Sequence, residues 1–165
     1  MAHAQSLTDL FLHNLRRMYD GEQRLEKALP KLRDAAASDE LKRAFQVHFE
    51  ETQVHVDRLA NVFASLGEKV KGTTCDAIKG ILDDGKDVAR LDADPDVKDA
   101  ALIAAAQEAE HFEIAMYGTL RTWAVVLANN EAVQILEVTL EEEKNADTLL
   151  TGIAATLNLR AAHAG

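Results

Sequence analysis

The sequence has one cysteine, Cys75, and two prolines among 165 residues, and only 5% of its residues are aromatic. A single cysteine excludes an internal disulfide framework, and with no signal-peptide pattern at the start it favours a cytoplasmic protein. The scarcity of proline leaves room for long, uninterrupted helices. No apolar run is long enough to span a bilayer, so a transmembrane helix is not expected.

The sequence also lacks an excess of basic residues, since its formal net charge is -10. Proteins that bind nucleic acid usually present a basic face, so binding to DNA or RNA is not expected. Acidic helix faces also disfavour attachment to an anionic membrane surface through opened amphipathic helices.

The residues that are abundant favour an all-α fold, because alanine, leucine, glutamate and lysine are good helix formers. Apolar residues recur every three or four positions. This spacing predicts helices at about 6–36, 39–66, 75–91, 96–128 and 130–157 within a single domain, 1–165. The joint between the first two helices is short, which predicts an antiparallel hairpin. The next segment is long enough to run the length of the molecule. We therefore predict a four-helix bundle with a long crossover that contains a short fifth helix.

The second helix carries polar residues in the middle of its apolar stripe. His48, Glu51 and His55 are spaced three and four residues apart, so they share one helix face. The same face continues as apolar residues in both directions along the chain. A helix that buries this stripe must also bury a carboxylate and two imidazoles. Such burial is costly without partners, and a metal ion is one such partner.

The other three long helices also carry an acid near the middle of their apolar stripes. With a rise of ~1.5 Å per residue, four helices of similar length place these acids in one central layer. Asp147 follows Glu143 by four residues, as His55 follows Glu51. The predicted metal ligands are Glu22, Glu51, His55, Glu110, Glu143 and Asp147. Oxygen-rich ligands with one or two imidazoles suit iron or manganese, so two iron ions are expected, with manganese as the alternative.

Several alternatives remain open from the residues alone. His48 could ligate a metal in place of His55, or support a ligand through a hydrogen bond. Glu113 lies one turn from Glu110 and is an alternate ligand. His111 follows Glu110 but points away from it, which suggests a surface or interface position. Each acid could also lie on the surface, since charged residues are rarely buried.

Four segments resemble the bacterial YciE/YciF family, and the likeness covers nearly the whole chain. They are LEKALPKL, HFEETQVHVDRLANVFASLG, AEHFEIAMYGTL and TLEEEKNADTLL. The wider pattern of one acid on each of four helices resembles the ferritin-like di-iron carboxylate superfamily. The resemblance implies a ferritin-like bundle, often dimeric, that is linked to bacterial stress responses and has no established reaction.

The resemblance to di-iron proteins also implies roles for the predicted ligands. Glu51 and Glu143 would bridge two metals, and Glu22 and Glu110 would be terminal ligands. The implied partners are metal ions and O₂ or peroxide, and oxidase, peroxidase and iron-handling roles remain alternatives. The competing hypothesis is a metal-free bundle that acts as a structural or interaction protein in stress.

The sequence departs from the common ferritin-like pattern in two places. That pattern places a histidine three residues after a ligand glutamate, whereas His55 follows Glu51 by four. The fourth long helix has Asp147 where a second histidine is common.

Overall fold

The computed structural model describes residues 4–164, which form five helices. The helices are α1 (Leu7–Ala35), α2 (Asp39–Ser65), α3 (Asp76–Ala89), α4 (Pro95–Val126) and α5 (Asn130–Ala161). No strand occurs between residues 4 and 164, and the predicted all-α fold with a short helix in a long crossover is confirmed. Only the end of α5 differs clearly, because this helix continues to Ala161 rather than residue 157. None of the helices in this part of the chain is long and apolar enough to cross a lipid bilayer.

Hydrogen bonds at the helix ends show that α2 and α4 run parallel. The Asp99 carboxylate, near the start of α4, accepts hydrogen bonds from the backbone N–H groups of Ala37 (2.8 Å) and Ser38 (2.7 Å), just before α2. At the other end, the side-chain amide of Asn129 donates to Ser65 Oγ (2.9 Å), in the last residue of α2. Helices α1 and α5 therefore run in the opposite direction, and α3 packs against α1 and α4.

The crossover that makes this topology is fixed to α1 before α3 begins. The backbone N–H of Thr73 donates to the carbonyl of Arg16 (3.0 Å), and that of Cys75 donates to the carboxylate of Asp20 (3.0 Å). The chain leaves α2 through Gly67, which has a φ of 68°. Glycine adopts this left-handed conformation readily, which is why it commonly ends helices.

The apolar core is divided into two clusters. One includes Leu25, Phe45 and Leu102, and the other includes Phe11 and Val62. Both draw residues from α1, α2, α4 and α5, so they stack along the bundle axis. The region between them holds the polar residues in the middle of these four helices.

Asp99 should stabilise the bundle at a point outside its apolar core and its central layer. It is fully buried, and both carboxylate oxygens accept backbone hydrogen bonds. Asp99→Ala leaves two N–H groups unpaired and should lower the free energy of unfolding by about 2–3 kcal/mol, measured by urea denaturation. Asp87→Ala, at an exposed position on α3, is the control and should change it by less than about 0.5 kcal/mol. Equal effects of the two substitutions would contradict this role.

Candidate metal centre

Six ionisable side chains meet between the two apolar clusters. They are Glu22, His48, His55, Glu110, Glu113 and Glu143, and none is more than 5% exposed. They come from α1, α2, α4 and α5, which places them on all four long helices. Helix periodicity explains the arrangement, because each lies on the same stripe as the buried leucines and phenylalanines of its helix.

The six side chains form two groups that share one residue. In the first, donor atoms of Glu22, His55 and Glu143 lie within 4.8 Å of one another. In the second, donor atoms of His48, Glu110, Glu113 and Glu143 do the same. All members of both groups are buried.

Glu143 is the shared residue, and its two oxygens face different histidines. Its Oε1 lies 3.1 Å from His55 Nδ1, and its Oε2 lies 3.9 Å from His48 Nε2. His55 Nδ1 also lies 3.5 Å from Glu22 Oε1, and His48 Nε2 lies 3.1 Å from Glu110 Oε1. One carboxylate therefore lies between the two groups and has an oxygen directed at each.

Many donor atoms of this layer have no hydrogen-bond partner. They include both oxygens of Glu113, both oxygens of Glu143 and one oxygen each of Glu22 and Glu110. Buried polar atoms are nearly always paired in folded proteins, so a concentration of unpaired oxygens calls for an explanation. Two divalent cations would satisfy these atoms and balance the charge of four carboxylates.

The electrostatics of the two histidines reflect this crowding of acids. Burial alone would lower the pKa of His55, but its contacts with Glu143 and Glu22 raise it to about 11. Burial likewise opposes ionisation of His48, and the surrounding carboxylates, first Glu110, raise its pKa to about 9. Without a metal, the layer therefore retains protons on its imidazoles.

The acids of the layer also retain protons more strongly than exposed acids do. Burial raises the pKa of Glu110 to about 8, and the charge of Glu143 adds to that effect. Burial raises the pKa of Glu113 well above its ordinary value, and the charge of Glu22 raises it further. Metal binding at these groups must displace protons, as is usual for carboxylate and imidazole ligands.

His55 is oriented by a partner outside the two groups. Its Nε2 lies 2.8 Å from Glu142 Oε2. The guanidinium of Arg58 holds this carboxylate through both terminal nitrogens, with Nη2 at 3.1 Å from Glu142 Oε1. Burial would raise the pKa of Glu142, but Arg58 and His55 lower it overall. The ionised carboxylate accepts from Nε2–H and leaves Nδ1 directed at Glu22 and Glu143, an arrangement typical of metal-binding histidines.

Two further contacts hold residues of the layer in place. The hydroxyl of Tyr117, which is fully buried, donates a hydrogen bond to Glu22 Oε1. Burial raises the pKa of the Tyr117 hydroxyl well above its ordinary value, so it remains a donor. In the second group, His48 Nδ1 lies 3.7 Å from Oε2 of Glu51.

Of the six predicted ligands, the structure brings together Glu22, His55, Glu110 and Glu143, but not Glu51. The side chain of Glu51 is 36% exposed and belongs to neither group, whereas Thr52 is fully buried. At about 100° per residue, Glu51 and Thr52 lie on opposite sides of the line through His48 and His55, each about 50° from it. Spacing therefore favours neither residue, and the packing of α2 against its neighbours decides which is buried.

Asp147 also lies outside both groups. Its Oδ1 accepts a hydrogen bond from Gln107 Nε2 (2.9 Å) and lies 3.5 Å from His111 Nε2, with 21% of the side chain exposed. As with Glu51 on α2, spacing alone does not show which side of the helix is buried. The buried stripe of α5 runs through Glu143 and Leu150, and Asp147 lies to one side of it. His111 is 68% exposed, as its position after Glu110 suggested.

Glu113 and His48 are the two members of the layer outside the predicted ligand set. The spacing of Glu110, Glu113 and Tyr117, in steps of three and four, is the signal that identifies a single stripe on α4. For His48, the signal was its place seven residues before His55 on one face. The sequence leaves both open as alternate ligands, and the structure places both within the second group.

The layer is reached from the surface between α2 and α5. A pocket of about 100 Å³ there is lined by the buried His48 and Glu110, by the partly exposed Glu51 and, at its outer end, by Val47 and Leu149. The outer pair are about half exposed. A pocket of this size admits a few water molecules or a diatomic gas.

Comparison with known proteins agrees with the architecture. A family model, "Domain of unknown function (DUF892)", matches residues 6–163. The chain is 41% identical over 151 residues to protein YciF of Escherichia coli K12, covering 91% of each. It is similar to the crystal structure of the E. coli stress protein YciF, with a TM-score of 0.91, 40% identity and coverage of 93% of this chain and 98% of the other.

A second solved structure, YcfI from Rhodopseudomonas palustris, is also similar to this chain over nearly its whole length. Its TM-score with this chain is 0.87 at 42% identity, and the match covers 91% of this chain and 96% of the other. Both the family model and the full-length relatives span the residues that build the polar layer. This chain belongs to the YciF-type family of DUF892 proteins.

Proposed function

We propose that the polar layer binds two metal ions, iron in the first instance and manganese as the alternative. The observation that carries the proposal is Glu143, whose two buried, unpartnered oxygens face His55 and His48. Carboxylates with imidazoles are the ligand set that these metals prefer. The ferritin-like resemblance of the sequence supports the same reading.

The proposed roles follow from the two groups. Glu143 would bridge the two ions, Glu22 and His55 would complete one position, and His48, Glu110 and Glu113 would complete the other. Glu51 and Glu142 would act through His48 and His55, respectively, by fixing the ring orientations. Asp147 has no ligand role in this proposal because it is paired with Gln107.

A pair of such ions supplies redox chemistry with O₂ or peroxide, which the side chains alone cannot perform. The protein contributes the ligand geometry, an interior closed to bulk water and the narrow pocket between α2 and α5. Tyr117 and Arg58 keep Glu22 and Glu142 in fixed positions through hydrogen bonds. A role for this chemistry in a stress response is consistent with the E. coli relative, which is described as a stress protein.

Metal titration tests the proposal. Protein freed of metal and titrated anaerobically with Fe(II), or with Mn(II), should bind about two ions per chain and unfold at a higher temperature. At a free-metal concentration 100 times Kd, one site stabilises the fold by about 2.7 kcal/mol. His111→Gln is the control, since this exposed ring lies outside both groups and its loss should leave binding unchanged. O₂ uptake after Fe(II) addition would then show whether the bound metal is redox-active.

The second candidate is a metal-free bundle with a structural or interaction role. The R. palustris relative is described as a structural protein, and protonation is an alternative way to neutralise buried acids. The two candidates differ in the same titration. A chain that binds no Fe(II) or Mn(II) at micromolar free metal, and whose unfolding temperature does not change, would support the structural role and contradict ours.

A further inference from the structure

A cavity of about 430 Å³ lies between α1, α3 and α4, on the opposite side of the layer from the narrow pocket. Its walls are apolar, and they include Leu25, Leu29, Leu32, Leu82, Ala106 and Ala109. A volume in this range is typical of sites for small organic ligands. Helix α3, which the crossover supplies, forms one whole side of it.

One end of the cavity reaches the polar layer. Glu110 lines it, although this residue is only 3% exposed. Helices α1 and α4 are antiparallel, so Leu25 on α1 lies at the Glu110 end, and Ala35 lies at the far end with Arg90. The ten residues from Leu25 to Ala35 correspond to about 15 Å of helix at ~1.5 Å each. The cavity is therefore long and narrow rather than round.

The outer part of the cavity is lined by cationic side chains. Lys31, Lys86 and Arg90 are all exposed there, and Asp34 is the one acid among the lining residues of the mouth. Asp34 is held by Arg33 at 2.8 Å, which offsets its charge. Lys86 pairs with Asp83, whereas Lys31 and Arg90 have no ion-pair partner within residues 4–164. The positive mouth is unusual for a chain with a net charge of -10.

We propose that this cavity binds a linear alkyl carboxylate, a molecule of the fatty-acid class. The carboxylate lies at Lys31, Lys86 and Arg90, and the alkyl chain runs along the leucine-lined wall towards Glu110. The opposite orientation would place two carboxylates together in the interior, which is costly. The cationic mouth favours this class over a neutral hydrocarbon, and the apolar wall below the mouth favours it over a polar metabolite.

The position of the alkyl end relative to a metal centre rests on the proposed function. Binding itself does not, because the walls and the cationic mouth are formed by side chains alone. The far end of the chain would lie beside Glu110, one of the proposed ligands. If both proposals hold, the alkyl end of the bound molecule lies on one side of the proposed ligand Glu110, and the pocket between α2 and α5 lies on the other.

Gly85 offers a matched pair of variants. It is buried in the cavity wall, and a Cβ added there would lie 4.0 Å from Ala105 Cβ and from Leu32 Cδ2, which is ordinary contact. Gly85→Ala should therefore leave the cavity open, whereas the longer side chain of Gly85→Leu should occupy it. Ala105→Leu fills the same cavity from α4 and serves if Gly85→Leu does not fold.

The experiment is calorimetric titration of the protein with dodecanoate below its critical micelle concentration, with and without prior metal removal. One molecule should bind per chain in both states. Gly85→Leu should raise the Kd for dodecanoate at least about tenfold, because its side chain takes the place of part of the buried alkyl chain. Gly85→Ala should change this Kd by less than about twofold, because the cavity stays open. Circular dichroism confirms that each variant is folded, and metal analysis confirms that each retains the metal content of the unsubstituted protein.

The head group is tested with dodecanol in place of dodecanoate. The double variant Lys31→Gln/Arg90→Gln should weaken dodecanoate binding by about three- to tenfold and leave dodecanol binding unchanged. Lys144→Gln, on α5 and paired with Glu141, is the control and should affect neither ligand. The proposal would be overturned if Lys31→Gln/Arg90→Gln bound dodecanoate as tightly as the unsubstituted protein does. It would also be overturned if Gly85→Leu and Ala105→Leu were both folded and bound dodecanoate with unchanged affinity. Loss of metal binding with dodecanoate binding intact would overturn the proposed function alone.

Discussion

Glu143→Gln will abolish the binding of both metal ions, although it changes only one oxygen of one side chain. Glu143 belongs to both groups, and each of its oxygens faces one histidine. An amide has no negative charge and presents only one oxygen, so it cannot bridge two cations. We expect the stoichiometry to fall from about two to near zero, measured by elemental analysis after titration with Fe(II) or Mn(II) and removal of unbound metal.

The run Glu141-Glu142-Glu143 contains its own controls. Glu141 is exposed and pairs with Lys144, so Glu141→Gln should bind metal normally. Glu142 contacts His55 without joining either group, so Glu142→Gln should weaken binding by about 10- to 100-fold while preserving the stoichiometry. Only Glu143→Gln should remove both sites. The three substitutions are chemically identical, so a graded result can only come from position.

Two other results would contradict the bridging role. Retention of one ion by Glu143→Gln would mean that the two groups are independent sites. Metal loss in Glu51→Gln equal to that in Glu143→Gln would restore Glu51 as a ligand, as the sequence spacing suggested. In the structure Glu51 contacts His48 Nδ1 at 3.7 Å, so we expect Glu51→Gln to resemble Glu142→Gln instead.

The sequence predicts the helices well because their signals are local. Apolar spacing and cap residues mark most helix ends, as the capping box of Ser6 and Asp9 illustrates, although the end of α5 lay four residues beyond its predicted position. The topology was also accessible, since a short joint and a long crossover leave few ways to arrange four helices. The convergence of Glu22, His55, Glu110 and Glu143 follows from the same spacing, because each is centred on a strongly apolar stripe.

What the sequence left open is the rotation of each helix about its own axis. A stripe with steps of three and four identifies a face only to about 50°, as Glu51 and Thr52 show. On α5, the same uncertainty made Asp147 look internal, whereas its carboxylate pairs with Gln107. Contacts between distant residues were inaccessible for another reason. Nothing local to Glu142 indicates that it will meet Arg58 and His55 from α2.

Glu113 gives the second large expected effect, which is on stability. Its side chain is fully buried, neither oxygen has a hydrogen-bond partner, and burial raises its pKa well above the ordinary value. In metal-free protein, Glu113→Leu removes an unsatisfied polar group and replaces it with an apolar side chain of similar volume. We expect the free energy of unfolding to rise by about 2 kcal/mol, and Tm to rise by about 4–8 °C.

Excess metal should reverse the order of stability. The unsubstituted protein gains about 2.7 kcal/mol per site at a free-metal concentration 100 times Kd, whereas Glu113→Leu has lost a ligand and gains less. Glu108→Leu is the matched control because Glu108 is exposed on the same helix, and it should show neither the gain nor the reversal. Thermal unfolding of the three proteins, each with chelator and with Mn(II), measures both effects.

The direction of the Glu113→Leu effect separates the two candidate functions. A carboxylate kept for a metal destabilises the empty fold, because function rather than folding accounts for its presence. A carboxylate kept for structure must instead be satisfied by its neighbours, and its removal would then cost about 3 kcal/mol or more. Since neither Glu113 oxygen has a hydrogen-bond partner, and burial and the charges of nearby acids, first Glu22, raise its pKa, the contacts favour the first outcome. A clear loss of stability in metal-free Glu113→Leu would show that the layer supports the bundle without metal.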